Sequence, residues 1–177
     1  CIRDSRYLLQ EALQNSAETI ISVGKEFGEL FGRDYANMFW MDNMDDADIA
    51  IVAMGSLAME AIVAAEMLRE EGHKVGVLGL RVFRPFPKGS LVNALRKSRL
   101  VVVFDKNISY GSEGATCSEI KSALYGNQVS AVIRNFIVGL GGRDVKAWEL
   151  ADAVRKSLSA IQTGPTNKEY PEWICYI

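Results

Sequence analysis

Residues 5–31 carry Tyr7, Leu8, Leu9, Ala12, Leu13, Ala17, Ile20, Ile21, Phe27, Leu30 and Phe31 at helical spacing, with Glu, Gln, Asn and Lys filling the other face. This predicts an amphipathic helix. Gly24 and Gly28 each cost a helix about 1 kcal/mol relative to alanine, so the pattern fits one bent helix or two shorter ones. Both fall on one face, where close crossing by another helix is expected, and Gly32 supplies a stop. Residues 32–47 lose the periodicity. Met, Phe, Trp and Tyr mix there with a series of Asp, as expected of a connector that packs against something.

From Asp48 onward short apolar runs alternate with amphipathic stretches, which predicts βα units on a parallel sheet. Strands are expected over 49–54, 75–81, 100–105 and 129–137, with helices over 56–71, 89–97, 115–125 and 145–161. The Val101-Val102-Val103-Phe104 run suits a strand buried on both faces. The last stretch, 162–177, holds Pro165, Pro171, Trp173 and Tyr176 without a period, and its apolar content predicts that it docks on this domain or on a neighbour. No internal repeat or low-complexity tract interrupts the order. The expected organisation is a helical connector over 1–47, an α/β domain with a three-layer parallel sheet and right-handed crossovers over 48–161, and a docking tail over 162–177.

Composition narrows the chemistry. With 177 residues the chain buries enough surface to fold without disulfides or metal. A net charge of -2, with no Lys/Arg run longer than two, provides no stripe for nucleic acid. The apolar runs are far short of the roughly 18 residues that cross a bilayer, so neither a nucleic acid nor a membrane is expected as partner. Cys1, Cys117 and Cys175 are widely spaced and suit a reducing, cytoplasmic compartment. They are too few for a four-thiolate iron-sulfur cluster, and any zinc site or Ser-His-Asp triad would depend on His73, the sole histidine. His73 itself falls in a turn feeding the amino end of a strand and reads as solvated. A first residue other than Met reads as a piece of something longer.

In an open parallel sheet, ligands and partners meet the loops at the carboxyl ends of the strands. The first such loop, Met54-Gly55-Ser56, has a single glycine, so the dinucleotide pattern GxGxxG is absent. Gly55 suits the tight turn and Ser56 an N-cap, with anion binding by the helix amides as the functional alternative. The second runs from Arg81 to Pro87, and its two prolines stiffen it. It reads as a docking surface with Arg84 facing an acidic group, or as a rigid connector with Phe86 in the core. The third runs from Asp105 to Gly114, where Asn107, Ser109, Tyr110 and Gly111 make a polar, turning segment. Ser109 has no assigned base and Asp105 no second carboxylate, so this loop reads as structural or interfacial, with no catalytic residue. The fourth holds Gly141 and Gly142, which permit positive φ, then Arg143 for a phosphate or a partner carboxylate and Asp144 as helix cap. It lacks the GK[ST] of a Walker motif.

Taken in order and spacing, Ala53-Met54-Gly55-Ser56, Val77 to Pro87, Asp105 to Gly114 and Phe136 to Val145 resemble the second domain of the pyruvate:ferredoxin oxidoreductase alpha chain. Gly28-Glu29-Leu30-Phe31-Gly32-Arg33-Asp34-Tyr35 is similar to that family's link between its first two domains. The resemblance implies a fold like the C-terminal domain of transketolase. It further implies membership of an enzyme that cleaves a 2-oxoacid on thiamine diphosphate and makes acyl-CoA and CO2. In such an enzyme electrons leave through iron-sulfur clusters to ferredoxin. Thiamine diphosphate, Mg and the clusters are expected on other domains or subunits, with none on this chain. Those subunits, ferredoxin and coenzyme A are the implied partners of the complex. Lys106 stands where the family's loop leads one to expect arginine, and Tyr110 where phenylalanine is expected. Asn107 and Gly111-Ser112-Glu113-Gly114 favour pyruvate over 2-oxoglutarate, and an oxalate-using relative shares the architecture. From the residues alone, a stand-alone doubly wound module binding phosphate or nucleotide at Gly55/Ser56 and Gly141/Gly142 is the alternative. A transketolase-like thiamine enzyme that does not use ferredoxin is a third.

Overall fold

The computed structural model describes residues 1–127, 129–162 and 170–174. The amphipathic segment forms one continuous helix, α1 (Ile2–Phe31), which stops where Gly32 turns to φ 66° and returns its amide to the Gly28 carbonyl at 2.8 Å. The two glycines do not split this helix in two, and it is not another helix that crosses them, which corrects the expected helix crossing. They make room for the chain's own return. A Cβ on Gly24 would stand 2.2 Å from the Tyr35 carbonyl oxygen and one on Gly28 3.2 Å from that of Arg33. Phe27 then meets Tyr35 edge-on at 5.3 Å, which fastens the helix to the segment that follows it.

That segment holds a strand the periodicity did not disclose, β1 (Phe39–Asp42), before β2 (Ile49–Met54), α2 (Ser56–Glu70), β3 (Val75–Leu80) and α3 (Lys88–Leu95). The series continues with β4 (Leu100–Asp105), α4 (Ala115–Leu124), β5 (Val132–Ile137), α5 (Ala147–Gln162) and β6 (Glu172–Trp173). The sheet order is β1-β3-β2-β4-β5-β6, with only β1 antiparallel to its neighbour. Strands β2, β3 and β4 are buried almost throughout, which accounts for their unbroken apolar sequences. Helices α2 and α5 pack against each other on one face, through Leu57, Ala61, Ala65, Leu150 and Val154, while Leu91, Leu95 and Ile120 of α3 and α4 close the other. Each fully buried Leu, Ile or Val stabilises this three-layer arrangement by roughly 1.5–3 kcal/mol.

Residues 170–174 lie along the outer edge of β5: β6 pairs parallel to Phe136 and Ile137, and the Ile174 amide donates to the Ile137 carbonyl at 3.0 Å. The Glu172 carboxylate accepts from the buried Arg134 and from Lys156. Pro165, Cys175 and Tyr176, also placed in the tail by the sequence, fall outside the described residues. No helix among the described residues is long and apolar enough to cross a membrane.

Strand β1 is seated by glycine. The ring of Trp40 occupies the space a Cβ on Gly79 would need, only 2.0 Å away. Gly79→Ala is therefore expected to displace Trp40 and to lower stability by about 1–3 kcal/mol, as overpacking does. Gly89→Ala, which has nothing within 4 Å and lies in α3, serves as the neutral or slightly stabilising control. Urea unfolding followed by tryptophan fluorescence checks both.

Candidate functional site

Because β2 to β5 run parallel, their carboxyl ends bring the four loops singled out in the sequence to one edge of the sheet. The chain winds from β2 outward through β3 on one side and from β4 through β5 on the other, so the topological switch lies between β2 and β4. Gly55 and Ser56 leave one of these strands, and Asp105 ends the other.

Asp105 is only 1% exposed. Its Oδ1 accepts from the Thr116 amide (3.1 Å) and Asn107 Nδ2 (3.3 Å), and its Oδ2 from the Cys117 amide (3.2 Å) and Asn135 Nδ2 (3.0 Å). Four donors face two oxygens, which suits an acceptor-only carboxylate, and no cation pairs with it among the described residues. The compensating positive end is that of α4, whose first-turn amides supply two of the four bonds. Asn135 Oδ1 in turn accepts from the Gly114 amide (2.9 Å), and Asn107 Oδ1 from the Ala115 amide (2.8 Å). Gly114 has to be glycine, since a Cβ there would lie 2.1 Å from Asp105 Oδ2. The loop between is closed by the Ser109 amide on the Glu113 carbonyl (3.0 Å) and turns at Gly111, φ 79°. Its tip presents Tyr110 to solvent at 88% exposure, beside the exposed Lys106 and Ser109. Beneath it, burial pushes the Cys117 thiol up, with the Glu113 charge adding to the effect.

The other loops are fastened in their own ways. Gly55, φ 60°, makes the sharp turn and precedes the first residue of α2. Ser56 is already inside the helix and no side chain caps these amides, which corrects the N-cap role expected of it. Arg84 finds its acidic group within the chain, at Glu119 (2.5 Å), and lies over its own Phe83 ring. Phe86 packs against the core face of α3 and α4, as the connector alternative expects. Arg81 donates to the carbonyls of Asp34 and Asn37 and covers the Tyr35 ring. In the fourth loop Gly139, Gly141 and Gly142 all take positive φ, and Lys106 packs against the first of them. Arg143 donates to Glu149 Oε1 (2.6 Å) and to the Ile174 carbonyl, so it faces the protein. Asp144 does not cap α5; it pairs with Lys146, whose ammonium holds the Asp144 carboxyl below its usual range. The amide of Lys146 is accepted instead by Glu149 of the first turn of α5. His73 sits in the turn before β3, at the opposite edge, and its amide bonds to the Leu68 carbonyl.

Residues 47–150 match the family Pyruvate:ferredoxin oxidoreductase core domain II. The chain belongs to that family. Two curated relatives extend the match on either side. The ketoisovalerate oxidoreductase subunit VorA of Pyrococcus horikoshii is 40% identical over 168 residues, 95% of this chain and 42% of that protein. The pyruvate synthase subunit PorA of Methanosarcina barkeri is 37% identical over 162 residues, 91% of this chain and 40% of that protein. The chain thus spans less than half the length of these relatives. A split-gene transketolase, solved as an inactive β4 tetramer, shares the fold at TM-score 0.52 and 24% identity over 65% of this chain and 39% of that one. The transketolase-like architecture expected from the sequence is the one observed.

The donor set of this core domain II does not fit the cofactors implied by the resemblance. Mg beside a diphosphate needs free oxygen ligands, yet both oxygens of Asp105 are already occupied, and no group of three His, Cys, Asp or Glu converges among the described residues. Clusters need several thiolates, whereas Cys1 is exposed and Cys117 buried far along the chain. Sequence reasoning missed Asn135, Glu119, Glu149 and Glu172, each of which fixes a loop or the tail. Only the polar Arg134-Asn135 pair inside an apolar strand signals one of them.

Two outcomes follow from the burial of Asp105 and Cys117. Asp105→Asn replaces an acceptor by a donor facing other donors and is expected to cost about 1–3 kcal/mol, read from urea unfolding. Maleimide labelling with peptide mapping should modify Cys1 in the folded protein and Cys117 only on unfolding; equal rates in the native state would contradict the burial.

Proposed function

We propose that this chain is the second domain of the alpha chain of a thiamine-diphosphate-dependent 2-oxoacid:ferredoxin oxidoreductase. The complete enzyme makes acyl-CoA and CO2 and passes electrons through iron-sulfur clusters to ferredoxin. Residues 1–47 act as connector from a preceding domain, 48–161 as the transketolase-like domain and 162–177 as a docking tail. The segment is an interface element and supplies no catalytic group of its own. Family membership supports the class of enzyme. The observation that carries the interfacial role is the carboxyl edge itself: Asp105, Arg81, Arg84 and Arg143 are all bound within the chain, while Lys106, Ser109 and Tyr110 are held outward on a fixed loop. A rigid loop with outward side chains serves recognition by something else. Thiamine diphosphate, Mg and the clusters belong to other domains or subunits in this reading. Those subunits, coenzyme A and ferredoxin are partners of the whole complex.

Pyruvate is the proposed 2-oxoacid, on the Asn107 and Gly111–Gly114 pattern. The relatives' names include both a pyruvate and a ketoisovalerate enzyme, so the two acids are the pair to compare. The test is coenzyme A-dependent reduction of ferredoxin by the chain alone and by the chain joined to the rest of its oxidoreductase. No turnover is expected from the chain alone, with turnover restored in the complex and pyruvate preferred over ketoisovalerate. Turnover by the isolated chain would overturn the assignment. Tight calorimetric binding of a nucleotide or of coenzyme A to it would favour the stand-alone module.

A further inference from the structure

Strand β6 is two residues long and forms the outer edge of the sheet, yet a buried ion pair holds it there. The Arg134 guanidinium, with its side chain 4% exposed, meets one oxygen of the Glu172 carboxylate, and Lys156 of α5 reaches the other. Breaking such a pair is costly, because the guanidinium is already out of water. Two residues further on, Ile174 packs against the core under α2 and α5. Its backbone spans the fourth loop. The Ile174 amide donates to the Ile137 carbonyl at 3.0 Å, where the loop leaves β5, and the Ile174 carbonyl accepts from Arg143 at 3.4 Å, where the loop ends. Arg143 also donates to Glu149, which fixes that end to α5, and Ile174 ties it back to β5. Between the two ends Gly139, Gly141 and Gly142 all take positive φ, which glycine enters at low cost and leaves as readily. Such a loop has little stiffness of its own, and its shape depends on what holds its ends.

We infer that Glu172 is a positioning residue for the fourth loop: by clasping Arg134 it seats Ile174 across both ends of that loop, so that tail and loop loosen together. Coupling of this kind runs equally in both directions. A change that releases the tail therefore alters one of the four loops of the carboxyl edge, and a change that displaces Arg143 loosens the tail. The bearing on a contact surface rests on the interfacial role proposed above. The coupling itself is a property of the chain alone, so the two can fail separately.

Nitrogen-15 relaxation and amide exchange on the full chain test this. With the native sequence Gly139, Gly141 and Gly142 are expected to show the order parameters of rigid backbone, about 0.85. Glu172→Gln is expected to free the Trp173 indole and to speed exchange of the Ile174 amide by on the order of tenfold or more. The three glycines should then fall below about 0.6, with Gly55 and Gly79 unchanged. Arg143→Gln, made at the far end of the loop, is expected to speed Ile174 exchange as well. Ile174→Pro serves as a second variant that removes the bridging amide and keeps every charge, and it should loosen the same three glycines even if Glu172→Gln fails to fold. Rigid glycines beside a freed tail would overturn the proposal, as would a tail that stays bound in both Glu172→Gln and Ile174→Pro. Loosening at Gly55 and Gly79 equal to that of the fourth loop would mark general destabilisation and would overturn it too.

Discussion

A carboxylate at the end of a buried strand, with no cation paired to it among the described residues, is expensive unless donors surround it. Asp105 meets that condition with two amides from the start of α4 and two asparagine side chains. The consequence reaches beyond one residue. The same asparagines hold the Gly114 and Ala115 amides, so the direction of α4, the closure of the preceding loop and the need for glycine at 114 share one cause. The loop is fixed from below, and its tip is left to solvent. Free energy committed to holding Tyr110 and Lys106 in place makes physical sense when something outside the domain reads their positions.

The remaining loops follow the same rule through different chemistry. Ion pairs hold the second and fourth loops, Arg84 to Glu119 and Arg143 to Glu149, and the C-terminal strand adds its Ile174 carbonyl to the latter. A polar edge with this degree of internal satisfaction has few groups left to activate a nucleophile or bind a cation. In the proposed role it serves as a surface with a defined shape. Membership of the core domain II family accommodates this, because the cofactors that carry the reaction of the proposed enzyme are expected elsewhere in the complex.

Much of this was legible in the residues. The β2, β3 and β4 runs were readable to within a residue because burial on both faces leaves nothing but apolar side chains, and the strand-end loops stood out by their Gly, Pro and Asn content. Strand β1 was not, since four residues are too few for a period and its pairing depends on Gly79 far along the chain. The Gly24–Gly28 pair did announce a close approach, but a spacing of four says nothing about whether a helix or the chain's own next turn makes it. Caps failed for a similar reason. Ser56 and Asp144 are the right residue types in the right places, yet Gly55 already turns the chain at one site and Glu149 accepts the amide at the other. The sequence alone points Arg143 outward, because its partners, Glu149 and the tail, are brought to it only by the fold.

The central claim, that the carboxyl edge is a preformed contact surface of a larger oxidoreductase, is tested most directly by backbone hydrogen exchange. The chain alone should be compared with the same chain assembled in its active complex. The account predicts slow exchange at 114–117 in both states, where the Asp105 and asparagine bonds lie, and new protection at 106–112 on assembly. Unchanged exchange across 106–112 in a fully active complex would contradict it.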